Sequence, residues 1–190
     1  MNRSVAPETD PWRMPVVVAQ IPDLGLHREI EASVRVREAM AEAAGLRQIL
    51  WARASFDLTP KSGGRVHVAG FVRARVSQTC VVTLDPIEND IDEAIDLMFA
   101  PQEEVRQLAD LIEQGQDSDN HGEDAEVPDP PEAIVNGIID LGRVATDALY
   151  LAIDPYPRKP GAVFEPQQTT PDPEDHPFAA LKALQDKPKS

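Results

Sequence analysis

A long alternating pattern in the middle of the chain limits its fold more than any other feature. Between Ile49 and Leu58 every second side chain from Leu50 is apolar, and a similar alternation runs onwards from Val66. Successive side chains of a β-strand point to opposite faces, so both runs predict strands with one buried face. The segment between them reads PKSGG, and its proline and glycines favour a tight turn. The two strands are therefore predicted to form a hairpin.

The alternation also assigns side chains to the two faces of the second strand. It continues in register to Leu84, which places Cys80 on the core face. Gly70 interrupts that face, and a glycine there predicts a bulge or the close approach of another backbone. The core face is predicted to hold the small apolar residues Val66, Val68, Val72, Ala74 and Val76. The opposite face of the hairpin carries bases and aromatics, namely Trp51, Arg53, Arg65, His67, Phe71, Arg73 and Arg75.

Two helices are predicted from capping residues and apolar spacing. Ser33 is a favourable N-cap for a helix to about Ala44, and Gly45 suits the left-handed conformation that closes a helix. Asp140 can cap a second helix, in which apolar residues form a stripe from Leu141 to Ala152. Prolines at positions 155, 157 and 160 end this helix, because proline lacks the N–H and clashes with the preceding turn.

Shorter strands are predicted on both sides of this core pattern. They lie at residues 15–20, at residues 28–32, and at residues 134–139 with a break at Asn136 and Gly137. Residues 87–101 alternate only loosely, and periodicity alone allows either a strand or a helix there.

Composition divides the 190 residues into one domain with flexible segments. The domain is predicted to span residues 14–164, between a flexible N-terminus at 1–13 and a flexible tail at 165–190 with a short amphipathic segment at 178–184. Residues 103–132 contain 11 acids and one base, Arg106. Such a segment buries too little apolar surface to offset its ordering entropy, so a mobile acidic insertion with one or two helical turns is predicted.

Charge is distributed unevenly along the chain. Up to Cys80 there are 11 Lys and Arg against 8 Asp and Glu, a net of +3, whereas from Val81 onwards there are 7 against 25, a net of −18. An acidic half repels a phosphate backbone and favours a basic protein partner. The single cysteine excludes an internal disulfide, and no apolar run approaches the ~18 residues of a spanning helix. We expect a cytoplasmic protein without a membrane partner.

Two stretches carry a resemblance to a known family. Residues 78–86 read QTCVVTLDP, and residues 139–162 read IDLGRVATDALYLAIDPYPRKPGA, with an Asp140-Leu141-Gly142 entry to the second helix. In order and spacing they resemble the YceD family, whose bacterial and plastid members are linked to accumulation of large-subunit ribosomal RNA. The resemblance favours a strand at residues 87–101 and a structural role for Asp140 and Gly142.

The chain departs from the family at Cys80, because many members carry a Cys-x-x-Cys pair where this sequence has CVVT, and some have further cysteines downstream. Zinc requires about four Cys, His or carboxylate ligands, and His27, His67, His121 and His176 lack ligand spacing. We interpret Cys80 as a structural, buried residue and predict no metal, no cofactor and no catalytic group.

Two regions are candidates for contact with RNA or a protein partner. Basic side chains interleaved with aromatics on a sheet can hold single-stranded RNA, although they can also face acids of the same chain. The proline-rich segment at 154–160 fixes its backbone and presents Tyr156 and Arg158, or else it only wraps the helix end. The candidate contact residues are Arg53, Arg65, Arg73, Arg75, Tyr156, Arg158, Phe178 and Leu181.

The sequence thus predicts an α+β fold: an antiparallel, twisted sheet that could close into a barrel, two packed helices, a disordered acidic loop and a tail. The resemblance implies a non-enzymatic factor in large-subunit ribosomal RNA accumulation or ribosome assembly, with a ribosomal protein or assembly factor of that subunit as partner and ribosomal RNA as a further candidate. The alternatives are a metal-dependent hydrolase or nuclease that uses carboxylates between Asp85 and Asp96, and a general acidic chaperone-like binder.

The tail generates a first testable prediction. Phe178, Leu181 and Leu184 form an apolar edge on a segment too short to fold alone, and we expect it to dock on a partner. Truncation after Pro166 should leave the melting temperature unchanged and weaken partner binding. A lower melting temperature would instead show that the tail docks on its own domain, and no change in either quantity would show that it is inert.

Overall fold

The computed structural model describes residues 11–116 and 130–163. For residues 112–116 it describes the backbone only. Seven strands, three α-helices and two short 3-10 helices follow one another in these ranges. The strands are β1 (Pro15–Val17), β2 (Leu26–Glu31), β3 (Gln48–Pro60), β4 (Val66–Thr79), β5 (Pro86–Pro101), β6 (Glu132–Ile134) and β7 (Ile138–Asp140). The helices are α1 (Val34–Ala43), α2 (Gln102–Gln116) and α3 (Leu141–Leu151).

Five of the strands form one open, mixed sheet. Their order is β2-β3-β4-β5-β6, in which the first four strands are antiparallel and β6 runs parallel to β5. Strands β1 and β7 form a separate antiparallel pair. The α+β prediction is therefore confirmed, and the strands of residues 11–116 and 130–163 do not close into a barrel.

The predicted hairpin is formed by β3 and β4. Their register is continuous except for an irregularity between Ile49 and Trp51, which changes the phase of the alternation. Ile49 is buried in consequence and Leu50 only half-buried, whereas the simple alternation placed Leu50 inward. Gly70 is a close backbone approach, as expected: a Cβ there would lie 2.0 Å from the carbonyl oxygen of Ser55.

Strand β4 ends earlier than the alternation predicted. It stops at Thr79, and a turn reverses the chain before β5 begins at Pro86. Leu84 lies in this turn with a φ of 62° and is 73% exposed, so its predicted inward position is wrong. The strand prediction for residues 87–101 is confirmed.

The core lies between the sheet and the helices α1 and α3. Its largest fully buried side chains include Phe56 and Leu58 of β3, Met40 of α1, and Leu141 and Leu149 of α3. Burial of each of these side chains stabilises the fold by roughly 1.5–3 kcal/mol relative to an exposed position. This gain favours packing of the apolar faces of the helices on the apolar face of the sheet. No helix in residues 11–116 or 130–163 has the length and apolar character to cross a membrane.

Helix α1 begins and ends as its sequence predicted. The Val36 N–H donates to the Ser33 hydroxyl at 3.4 Å, and Gly45 has a φ of 64° just past the helix end.

Helix α3 is held by two residues at its start. One Asp140 carboxylate oxygen accepts hydrogen bonds from the N–H groups of Met14 at 2.8 Å, Gly142 at 3.1 Å and Arg143 at 3.4 Å. A Cβ on Gly142 would lie 1.9 Å from the Trp12 carbonyl oxygen, so only glycine lets the chain before β1 approach the helix. Asp140 and Gly142 thus join the N-terminal segment to α3.

The first half of the predicted acidic insertion is a longer helix than expected. Residues 102–116 form α2, about four turns, where one or two turns were predicted. Glu103 and Glu104 lie in its first turn, where negative charge interacts favourably with the helix dipole. The predicted mobility at 117–129, the flexible residues 1–10 and the tail at 165–190 lie outside the described residues.

The Asp140 contacts generate a prediction about stability. Asp140→Ala removes the acceptor of three backbone N–H groups, and we expect the free energy of unfolding to fall by about 1–2 kcal/mol. Asp140→Asn keeps a side-chain acceptor and should lower the free energy of unfolding by only about a few tenths of a kcal/mol. Chemical denaturation of the two variants measures the difference, and equal losses would contradict the capping role.

Candidate functional site

The outer face of the sheet carries cross-strand ion pairs. We define it as the side chains of β2–β5 that point away from the core. Nitrogen-to-oxygen distances are 3.3 Å for Arg53 and Glu31, 3.0 Å for Arg73 and Asp92, and 2.7 Å for Arg75 and Asp90. A hydrogen bond of 2.8 Å joins His67 and Asp96. Arg65 pairs with Glu104 of α2.

Each of the four arginines proposed as an RNA or partner contact is therefore paired with a carboxylate of the same chain. Two of these acids lie on β5, the strand that follows β4, so the net positive charge that the face presents is small. Exposed pairs of this kind contribute little to stability individually.

A shallow depression of about 600 Å³ lies on this face, between β2, β3 and β4. Trp51 and Phe71 contribute its aromatic surface, and the Arg73 guanidinium lies 4.2 Å from the centre of the Phe71 ring. Glu29 and Glu31 lie at the same depression. The site therefore mixes aromatic surface with charges of both signs.

The carboxylates between Asp85 and Asp96 do not converge. Asp85 pairs with Lys159 at 3.0 Å, and Asp90, Asp92 and Asp96 each pair with a different base along β4. Hydrogen bonds from Lys159 and Arg75 lower the pKa values of Asp85 and Asp90, respectively, so both are ionised at neutral pH and do not suit a general acid. Within the described ranges no group of three or more His, Cys, Asp or Glu side chains could hold a metal ion.

The turn between β4 and β5, residues 80–85, surrounds the sulfur of Cys80. Cys80 is fully buried, and its Sγ accepts hydrogen bonds from the N–H groups of Thr83 at 3.4 Å and Lys159 at 3.3 Å. The Val81 N–H donates to the Pro157 carbonyl oxygen at 2.9 Å, which joins this turn to the loop after α3. We call residues 80–85 the Cys80 turn.

These donors favour the thiolate form of Cys80. A hydrogen bond from the Thr83 side chain, followed by the backbone N–H groups of Lys159 and Thr83, lowers the pKa of the Cys80 thiol to about 6. Cys80 is thus more polar in its contacts than the buried hydrophobe that the sequence suggested. With Thr83 in place of a second cysteine, the Cys80 turn supplies one sulfur and does not fit a four-ligand zinc site.

The proline-rich loop after α3 presents the two other predicted contact residues. Tyr156 is 72% exposed and Arg158 is exposed, while Pro157 between them is buried. The Asp154 carboxylate accepts the Tyr156 N–H at 2.8 Å, and the Gln78 amide donates to the Asp154 carbonyl oxygen at 2.8 Å. Phe178 and Leu181 lie outside the described residues.

Sequence reasoning missed the contact of Cys80 with Lys159, which are 79 residues apart. The family pattern of one cysteine pair near Cys80 and further cysteines downstream was the available signal, since ligands of one site must meet in space. It also missed the order of the strands in the sheet, because strand order cannot be derived from alternation.

A comparison with models of known protein families shows which family the chain belongs to. A family model described as large ribosomal RNA subunit accumulation protein YceD matches residues 68–185 of the 190. The chain belongs to the YceD family. No curated protein and no solved structure matches the chain significantly. The YceD match begins within β4 and includes β5, the Cys80 turn and α3, whereas β2 and β3, which contribute Glu31, Trp51 and Arg53 to the outer face, precede it.

The Cys80 turn generates a prediction about pH. The folded pKa of about 6 lies below the ordinary thiol value of 9.0, so the thiolate stabilises the fold above pH 9 and this contribution is lost as pH falls to about 6. The difference in unfolding free energy between the wild type and Cys80→Ala should therefore increase with pH across that interval.

A pair of variants at Thr83 isolates the cause. Thr83→Val removes the hydroxyl and should raise the thiol pKa, whereas Thr83→Ser keeps the hydroxyl and should leave the pKa near that of the wild type. The ultraviolet absorbance of the thiolate reports the titration. A wild-type midpoint near the ordinary thiol value would contradict the assignment.

Proposed function

We propose that this YceD-family chain is a non-enzymatic factor that supports accumulation of large-subunit ribosomal RNA by binding a basic protein, either a ribosomal protein of that subunit or one of its assembly factors. The observation that carries the proposal is the coincidence of the family match with the acidic part of the chain. The match covers residues 68–185, and the net charge from Val81 onwards is −18.

The ion pairs of the outer face support a protein partner in preference to RNA. Proteins that hold nucleic acid present clustered, unpaired Lys and Arg to phosphates. Here Arg53, Arg65, Arg73 and Arg75 each contact a carboxylate, and an approaching phosphate would have to displace that carboxylate or be repelled by it. Direct contact of these arginines with ribosomal RNA is thus the less favoured form of the proposal.

Tyr156 and Arg158 are proposed as part of the partner surface. Their loop is fixed by prolines and by the contacts of Asp154, so these side chains lose little conformational freedom on binding. Tyrosine and arginine are also, with tryptophan, the residue types enriched among the residues that dominate binding energy at protein interfaces.

The two alternative functions have specific tests. A metal-dependent hydrolase would gain thermal stability from a divalent cation, whereas a non-enzymatic factor should not. A general acidic chaperone-like binder would bind unrelated basic proteins as tightly as large-subunit proteins.

The proposal predicts a selective partner with salt-sensitive binding. Affinity purification of the full chain, analysed for both protein and RNA, should recover a large-subunit protein or assembly factor, and loss of the chain should lower the ratio of large-subunit to small-subunit ribosomal RNA. Binding should weaken steeply as salt rises, because exposed charges are screened beyond ~8 Å at physiological ionic strength.

The same purification separates the other outcomes. RNA recovered after removal of bound protein would indicate direct RNA contact through the sheet face. Salt-insensitive binding would show that the acidic region only confers solubility. An unchanged ribosomal RNA ratio in the absence of the chain would overturn the proposal.

A further inference from the structure

In the part of the chain that the structure describes, one side of β5 has no strand beside it over most of its length. Strand β4 pairs with β5 from Pro86 to Phe99, and on the opposite side β6 pairs only with Phe99, Ala100 and Pro101. Among residues 11–116 and 130–163, no other strand pairs with β5. The main-chain groups of β5 before Phe99 that point away from β4 are therefore open to a further strand.

The alternation of hydrogen-bonded pairs between β4 and β5 shows which residues of β5 direct their main-chain groups away from β4. The Cys80 N–H donates to the Asp85 carbonyl oxygen at 2.9 Å, and from this pair the β4–β5 register continues without irregularity. Hydrogen-bonded and non-hydrogen-bonded pairs alternate along an antiparallel ladder. The odd-numbered residues 87–97 thus direct their main-chain groups to β4, and the even-numbered residues 88–96 direct theirs outward. We call residues 88–96 the β5 edge.

The charge of the β5 edge selects its occupant. It contains Glu88, Asp90, Asp92, Glu93 and Asp96 and no base. Four of these acids, all but Glu93, are at even-numbered positions, so their side chains follow one another along the outer face beside the open main-chain groups. Neither Glu88 nor Glu93 forms an ion pair with another described residue, although their neighbours Asp90 and Asp92 do.

We propose that the β5 edge binds an extended, lysine- or arginine-rich segment of a partner protein as an added strand, which deepens the proposed function and rests on it for the identity of the partner. Main-chain hydrogen bonds would provide affinity, and basic side chains at every second position of the segment would meet the acids of the outer face. The recognition pattern is thus an alternation of basic residues, not merely a high positive charge.

Charge argues against the other occupants. A second copy pairing through the same edge would place acids opposite acids, which destabilises a strand pair. Residues 117–129 of the chain contain six acids and no Lys or Arg, so their charge opposes docking on the β5 edge. Residues 164–190 contain five acids and three lysines, a net of −2, and truncation after Pro166 tests whether they occupy the edge. Nucleic acid would bring its phosphates against the same carboxylates.

The test uses the full chain and a synthetic peptide that alternates lysine with threonine over the length of the edge. A control peptide has the same composition with its lysines and threonines in two blocks.

Amide hydrogen exchange measured by NMR is the readout. In the free protein the even-numbered amides 88–96 should exchange fast, and they should become protected when the alternating peptide is added. The odd-numbered amides from 89 to 95 should be protected throughout, and the amides of β2 at the other edge should not change.

The variant Ala94→Pro tests the main-chain hydrogen bonds of the β5 edge separately from its charge. Ala94 is exposed, makes no ion pair, and directs its N–H outward, so proline removes one donor from the edge without changing its charge. We expect peptide affinity to fall about tenfold, equivalent to the loss of one or two main-chain hydrogen bonds. Glu88→Gln neutralises the one acid of the outer row that has no ion pair with another described residue, and it should weaken binding and increase its tolerance of salt.

Three results would overturn the proposal: protection of the even-numbered amides in the free protein, equal binding of the block peptide, or full affinity in Ala94→Pro with its fold intact. The wild-type exchange pattern decides the matter if that variant fails to fold. The proposed function fails separately: a peptide that binds the edge while the ribosomal RNA ratio does not depend on the chain would support this site and reject the cellular role.

Discussion

The pairing of β4 with both of its neighbours is the constraint on which the rest of the structure depends. Strand β4 is central in the sheet, so its alternating side chains decide which face is buried for β3 and β5 as well. Its inner face consists of Val66, Val68, Val72, Ala74 and Val76, all buried, and its outer face supplies His67, Arg73 and Arg75 to acids on β5. A slip of one residue would exchange these two sets, burying the charges and exposing the valines.

The same pairing places the Cys80 turn. Because β4 and β5 are long and in continuous register, the reversal at residues 80–85 lies at the end of the sheet, where the loop after α3 reaches it. Helix α3 is fixed in turn by Asp140 and by the close approach at Gly142. The sulfur of Cys80 therefore receives its hydrogen bonds from two segments that the sheet and α3 hold in place.

Local rules explain which parts of the fold could be predicted from the sequence. The Ser33 and Asp140 caps and the close approach at Gly70 each act over a few residues and were confirmed, and so was the alternation from Trp51 to Leu58 and from Val66 to Thr79. The errors arose where tertiary contacts decide the outcome. The irregularity after Ile49 changes which side chain is buried, and the turn at Cys80 ends a strand that its alternating pattern would have continued.

The candidate sites were harder to predict for the same reason. The sequence correctly placed Arg73 and Arg75 on one face with Trp51 and Phe71, but their partners Asp92 and Asp90 lie on a strand whose register only the fold defines. Likewise, the contact of Lys159 with Cys80 joins segments far apart in the chain.

The acids on β5 also affect which chains can pair with the exposed edge of this strand. An exposed strand edge tends to pair with other chains, and proteins commonly protect such edges with charge. The β5 edge carries only acidic charge, which opposes pairing between identical chains and leaves pairing with a basic strand favourable. Arg75 and Arg73 of β4 meanwhile offset the charges of Asp90 and Asp92 within the folded chain. If the β5 edge binds a basic strand as proposed, protection against self-association and selection of the partner follow from the same residues, because both depend on the sign of the charge beside the outward main-chain groups.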